Sequence, residues 1–174
     1  KGRSTQLAFN ARALAARDVI PQMLFDSPND LPNTLDVAEV ADEIMRKYPA
    51  LQTAGDGELR IKEWLDFAHG EFERSQEVQV LLHANGDAAT LGSYMDQAWR
   101  DAGELYGIRT PQMDKIANLC RTCDGVMGVK VMGAGFGGNL LALVRRDCLE
   151  GLRSTLVENQ NLFSRAAQDS MLVH

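Results

Sequence analysis

Apolar residues recur every three to four positions through most of the first 125 residues, a spacing that predicts helices. The first covers about residues 4–24. Ser4 or Thr5 can cap it, Leu7, Ala11, Leu14, Ala15 and Val19 form its apolar stripe, and Pro21 bends or breaks it. Pro28, Asn29, Asp30 and Pro32 mark a loop. A short helix then starts at Asp36, where Glu39 completes an Asp-x-x-Glu box, and Pro49 ends it. A long helix is expected over residues 58–84, stopped by Asn85-Gly86. Asp87 caps the next one. Its Leu91, Tyr94, Met95, Ala98, Ala102 and Leu105 give the cleanest stripe in the chain, and Gly107 closes it. Thr110-Pro111 opens a third helix with a hydroxyl cap and a proline in the first turn. Met113, Ile116, Ala117 and Cys120 point inward there, and Gly125 closes it.

The pattern changes after Gly125. Residues 129–132 and 140–144 are short runs rich in Val and Leu, with glycines between them, and predict a β-hairpin. Asp147 and Glu150 form a second Asp-x-x-Glu box, for a helix ending near Asn159. Leu162-Phe163 and residues 170–173 predict a last pair of short strands. Helices over about 1–125 followed by hairpin, helix and hairpin over about 126–174 make an α+β fold. Its small antiparallel sheet is covered on one face by helices.

Composition narrows the function. Of 174 residues, 45% are hydrophobic and 24% charged, as in an ordinary packed domain. The net charge of −6, with scattered Lys and Arg, argues against a nucleic-acid surface, which needs clustered cations. No apolar run approaches the ~18 residues of a membrane span. Three cysteines, an odd number, suit a reducing cytoplasm better than a disulfide framework, so a cytoplasmic location is expected. No signal peptide opens the chain, and Lys1 in place of a starting Met suggests a beginning inside a longer polypeptide.

The densest candidate chemistry is Gly133, Ala134, Gly135, Phe136, Gly137 and Gly138, which together satisfy G-x-G-x-x-G. A dinucleotide fingerprint leaves a strand and enters a helix whose N-terminus binds the pyrophosphate. Here Asn-Leu-Leu-Ala-Leu-Val follows, which is strand, and too little chain remains for further βαβ units. The loop is then either a tight turn alone or a stretch of backbone bared for close approach. Five of its six residues are Gly or Ala, more than a turn needs, which favours close approach. Cys120-x-x-Cys123 sits near the end of a helix, where no dipole stabilises a thiolate. Only Cys148 and three scattered histidines remain as further zinc ligands. Cys120 is therefore expected in the core and Cys123 half-exposed. His69, His83 and His174 lack partners at metal spacing, and Trp64 and Trp99 suit a core.

Residues 131–144, VMGAGFGGNLLALV, resemble the third motif of the GHMP sugar kinases, and of galactokinases in particular, where an MTGGGFGG-like loop precedes a strand. Phe9-Asn10-Ala11-Arg12 is similar to the Tyr-Asn-x-Arg that opens the galactokinase C-terminal half, and Glu71 and Arg74 to its Glu-x-x-Arg. Residues 91–95 and 106–114 resemble a helix and the following V-S-x-P-E-L-D segment, and residues 163–173 the closing hairpin. The likeness spans nearly the whole chain. It implies a ferredoxin-like GHMP kinase C-terminal domain with a helical N-terminal part, in a protein that uses ATP and Mg to phosphorylate a sugar hydroxyl. It also implies that the loop residues 133–138 and Phe9 lie at the nucleotide and sugar. The family's phosphate loop, P-x-x-x-G-L-G-S-S-A, its metal-binding Ser and Glu and its catalytic Asp belong to an N-terminal half that this sequence does not contain. Sugar and ATP would thus be reached through that half, and no catalytic residue or metal ligand is expected here.

The sequence departs from the family at three places. Phe9 stands where galactokinases have tyrosine, 64–67 (Trp-Leu-Asp-Phe) replaces an Arg-x-x-His, and Ala98-Trp99 replaces a Ser-His. A non-catalytic sugar- or nucleotide-binding or regulatory protein on the same fold is the alternative, and a self-contained helical interaction domain with a structural hairpin is a third.

Overall fold

The computed structural model describes residues 60–163 together with Asp42 and Arg46, both helical. The helix expected over 4–24, the strand at 170–173 and Phe9 lie outside the described residues, as does the helix expected from Asp36 apart from Asp42 and Arg46. The chain divides into two compact units, Lys1–Phe72 and Glu73–His174. Helix α1, Ile61–His83, begins in the first and ends in the second. In the first unit Arg60 Nε pairs with Glu63 at 3.1 Å, and Trp64 is buried as its helical spacing suggested.

In the second unit the helix ends predicted at Asn85-Gly86, Asp87 and Thr110 form with their caps. Asn85 takes φ +49, its N–H donates to the Leu82 carbonyl and that of Gly86 to the Leu81 carbonyl at 2.8 Å, so the Asn-Gly pair ends α1 in a Schellman turn. Helix α2, Ala88–Glu104, is capped by Asp87, whose carboxylate accepts from the N–H groups of Ala89 and Thr90. Its stripe buries Met95, Ala98, Trp99 and Ala102. Helix α3, Pro111–Arg121, is capped by the Thr110 hydroxyl, which accepts from the Met113 N–H at 3.2 Å, and buries Met113, Ala117 and Cys120.

Strands β1, Val126–Met132, and β2, Asn139–Val144, pair antiparallel, with Val129 opposite Ala142 and Val131 opposite Leu140. Strand β1 starts three residues before the expected 129, across an irregularity in register between Val126 and Gly128. The extra residues are held by α2. A Cβ on Gly92 would lie 2.1 Å from the Met127 carbonyl oxygen, and one on Gly128 2.4 Å from the Gly92 carbonyl oxygen. Helix and strand therefore meet backbone to backbone, which only glycine at both positions allows.

Beside that contact the outward-facing peptide of β1 is closed by side chains. Asp96 Oδ1 accepts from the Val129 N–H at 3.2 Å and from Arg121 Nη2 at 2.7 Å, and Arg121 Nη2 also donates to the Val129 carbonyl at 3.3 Å. A strand edge left unpaired would cost free energy, and this ion pair satisfies its donor and its acceptor together.

The α+β organisation expected from the sequence is the one observed, and two local expectations need correction. Asp147 does not cap the last helix. Arg146–Cys148 is a 3-10 turn, and α4, Leu149–Glu158, follows it without a side-chain cap. An N-cap needs extended backbone, but Cys148 has αR geometry and Asp147 instead pairs with Arg145 at 3.2 Å. Leu162 does not enter a strand either, because Gln160–Leu162 is a 3-10 turn whose Leu162 carbonyl accepts from the Gln112 amide.

Candidate functional site

Residues 133–138 join β1 to β2. Gly133, Gly135 and Gly137 have φ of +79°, +70° and +87°, and Phe136 has +53°. Such a run of left-handed residues explains the glycine density locally, since a Cβ is disfavoured at each. Tertiary contacts then divide the loop into a root and an outer face. Gly135 is the root. It is buried, and a Cβ there would lie 2.6 Å from the Ile108 carbonyl oxygen and 2.7 Å from Ile108 Cβ. The Phe136 N–H donates to that same carbonyl at 2.8 Å, and the Gly137 N–H points at Met113 Sδ at 3.3 Å.

The outer face is different. Gly133, Ala134, Gly137 and Gly138 are exposed, and no atom lies within 4 Å of where a Cβ on Gly133 or Gly137 would stand. Among the described residues no hydrogen bond engages the N–H of Gly133 or Ala134. A fixed root with bare backbone outside is a shape that can admit another backbone or an anion to peptide contact distance. The loop carries no charged residue, so a bound anion would need its countercharge from elsewhere.

The anchor for this loop is the segment between α2 and α3. The Ile108 N–H donates to the Ala102 carbonyl at 2.9 Å, and the residue is buried. Next to it, Arg109 lies over the Trp99 ring at 4.7 Å, donates to the Trp99 carbonyl at 3.2 Å and pairs with Asp114 at 2.9 Å. Arg121 lies 5.2 Å from the same indole. Ile108, Arg109 and the Gly92–Gly128 contact went unrecognised in the sequence. The one available signal was the position of Gly92 on the buried stripe of α2, a turn before Met95, where a large apolar residue is the norm.

Other sequence candidates prove structural. Cys120 is buried and reduced, and burial, reinforced by Cys123, pushes its thiol above the ordinary range. Such a thiol is a poor nucleophile. Cys123 is half-buried with its Sγ 3.6 Å from the Leu119 carbonyl oxygen. Arg74 pairs with Asp101 at 2.6 Å, tying α1 to α2. Among the described residues no three His, Cys, Asp or Glu side chains gather as metal ligands would, and no helix is long and apolar enough to cross a membrane.

Residues 78–159, from the second half of α1 through α4, match the family profile described as GHMP kinases C terminal. This stretch belongs to the GHMP kinase C-terminal family. The GHMP domain has relatives among galactokinases. That of Thermotoga petrophila is 29% identical over 84 residues, covering 48% of this chain and 23% of that protein. The Roseiflexus galactokinase is 32% identical over 88 residues, covering 51% and 22%. That of Thermotoga neapolitana is 28% identical over 119 residues, covering 68% and 31%. The crystal structure of Lactococcus lactis galactokinase complexed with galactose shares the fold at a TM-score of 0.59 and 21% identity, over 87% of this chain and 36% of that one. The chain described here thus spans about a third or less of the curated relatives it matches.

Proposed function

We propose that this chain is the C-terminal part of an ATP-dependent, galactokinase-like sugar kinase, with residues 1–174 forming its C-terminal domain. The relatives named above make galactose the sugar to try first. One observation carries the assignment of the site: in a GHMP domain, the glycine loop is locked at Gly135 and bare at Gly133 and Gly137. Gly133, Ala134, Gly137 and Gly138 would then face the nucleotide, while Gly135 and Phe136 fix the loop on Ile108. Phe9 would lie on the sugar side, as its likeness to the family's Tyr-Asn-x-Arg suggests.

ATP supplies the phosphoryl group, and Mg neutralises the charge on its phosphates. The uncharged backbone of the loop fits beside a nucleotide as a wall of the cradle. The family resemblance implies that the Mg ligands and the catalytic Asp belong to an N-terminal half, so both are assigned to the remainder of a longer polypeptide, through which sugar and ATP would be bound. Phosphoryl transfer depends on positioning and charge neutralisation, and the part of this chain is positioning.

The test is kinetic. In the longer polypeptide, Gly137→Ala places a methyl on the outer face that meets no neighbouring atom, at a backbone cost of about 1 kcal/mol from its φ of +87°. The nucleotide KM should rise about tenfold, the loss of one close backbone contact of ~1.4 kcal/mol. An unchanged KM removes the loop from the site. Phe9, which lacks the hydroxyl of the family tyrosine, favours the second function, a sugar or nucleotide binder without turnover. Calorimetric titration with ATP and galactose alongside a turnover assay separates the two.

A further inference from the structure

We propose that Arg109 is a positioning residue that clamps the glycine loop through the segment joining α2 to α3. The loop root rests on the Ile108 carbonyl, which accepts from the Phe136 N–H at 2.8 Å and touches Gly135. That carbonyl leads directly into Arg109, so the place of the guanidinium sets the peptide on which the loop sits.

The guanidinium is held on several sides. It stacks on Trp99 at 4.7 Å, donates from Nη1 to the Trp99 carbonyl at 3.2 Å, and its Nε lies 2.9 Å from Asp114 Oδ1. Its fourth side is Gly103, where a Cβ would come within 2.7 Å of the guanidinium carbon and of Nε. The planar fork lies against the last turn of α2 because residue 103 has no side chain. Trp99 is also shared. Arg121 lies 5.2 Å from the same ring and grips Asp96 and the β1 edge at Val129. One buried indole therefore joins the two fastenings of the hairpin, at the edge of β1 and at the glycine loop. A lysine cannot stack flat, reach the Trp99 carbonyl and pair with Asp114 together, which is why a fork is needed.

Hydrogen exchange by NMR on the 174-residue chain reads the clamp directly. Arg109→Met keeps the apolar stem and removes the fork. It should accelerate exchange of the Phe136 amide by about tenfold relative to the β1 amides that pair with β2. Gly103→Ala displaces the guanidinium without deleting it, and alanine is the better helix former. That variant should also accelerate Phe136 exchange ahead of the β1 amides, which loss of general stability alone would not do. Phe136 exchange that stays in step with β1 in both variants overturns the proposal. Its bearing on catalysis rests on the kinase function proposed above. If Phe136 exchange responds while the nucleotide KM of the longer polypeptide does not, the clamp stands and the loop is no nucleotide wall.

Discussion

Glycine does two different jobs in this loop, and only the surroundings of each tell them apart. Gly135 combines a positive φ with a Cβ position inside the Ile108 backbone, so Gly135→Ala must strain the residue and also push a peptide aside. Gly133 has the positive φ alone. Urea unfolding should therefore show about 1 kcal/mol lost in Gly133→Ala, from the left-handed conformation, and about 3 kcal/mol or more in Gly135→Ala. Equal losses would mean that the contact with Ile108 does not restrict the loop. The glycine density of the loop was legible from the sequence, and so was its unfitness for a dinucleotide, because both depend on neighbouring residues. Which glycine is the root was not legible, since Ile108 reaches the loop from a distant part of the chain.

Elements whose ends are specified by adjacent residues form where the sequence predicts them. Asp87, Thr110-Pro111 and Asn85-Gly86 each make their cap within a few residues, and each does so in the fold. Asp147 fails because the backbone around it winds into a 3-10 turn, which the side-chain pattern does not report. The Asp87 cap has a pH signature. Its carboxyl is held below the ordinary value of 3.8, first by the Thr90 hydroxyl and then by the N–H groups of Ala89 and Thr90. The folded pKa thus lies below the unfolded one. The stabilisation is complete above the unfolded value and is lost as pH falls through the folded one. Asp87→Ala should unfold at lower urea than the parent at pH 7, and the gap should narrow as the pH falls below 3.8. A gap independent of pH would contradict the carboxylate cap. The seam between α2 and β1 makes a second element-scale prediction. Gly92→Ala places a methyl 2.1 Å from the Met127 carbonyl oxygen, where only backbone can yield. Its cost is expected to be about 3 kcal/mol or more, by far-UV circular dichroism against urea. A Gly92→Ala protein as stable as the parent would show that helix and strand are not in direct contact.

For the whole molecule, the α+β class followed from periodicity, and the family from the glycine motif together with the Thr-Pro-Gln-Met-Asp block. The packing that supports the site did not, because the Trp99–Arg109–Arg121 stack and the Asp96 edge closure join residues from three elements with no periodic trace. A domain with a fixed but uncharged loop can help to shape a phosphate site without performing the transfer. The decisive measurement is ATP-dependent phosphorylation of galactose with Mg present. It compares the 174-residue chain with a longer polypeptide that includes the sequence upstream of Lys1. Turnover by the longer polypeptide and none by the chain alone is the predicted result. Turnover by the chain alone, or a longer polypeptide that phosphorylates no sugar, would contradict it.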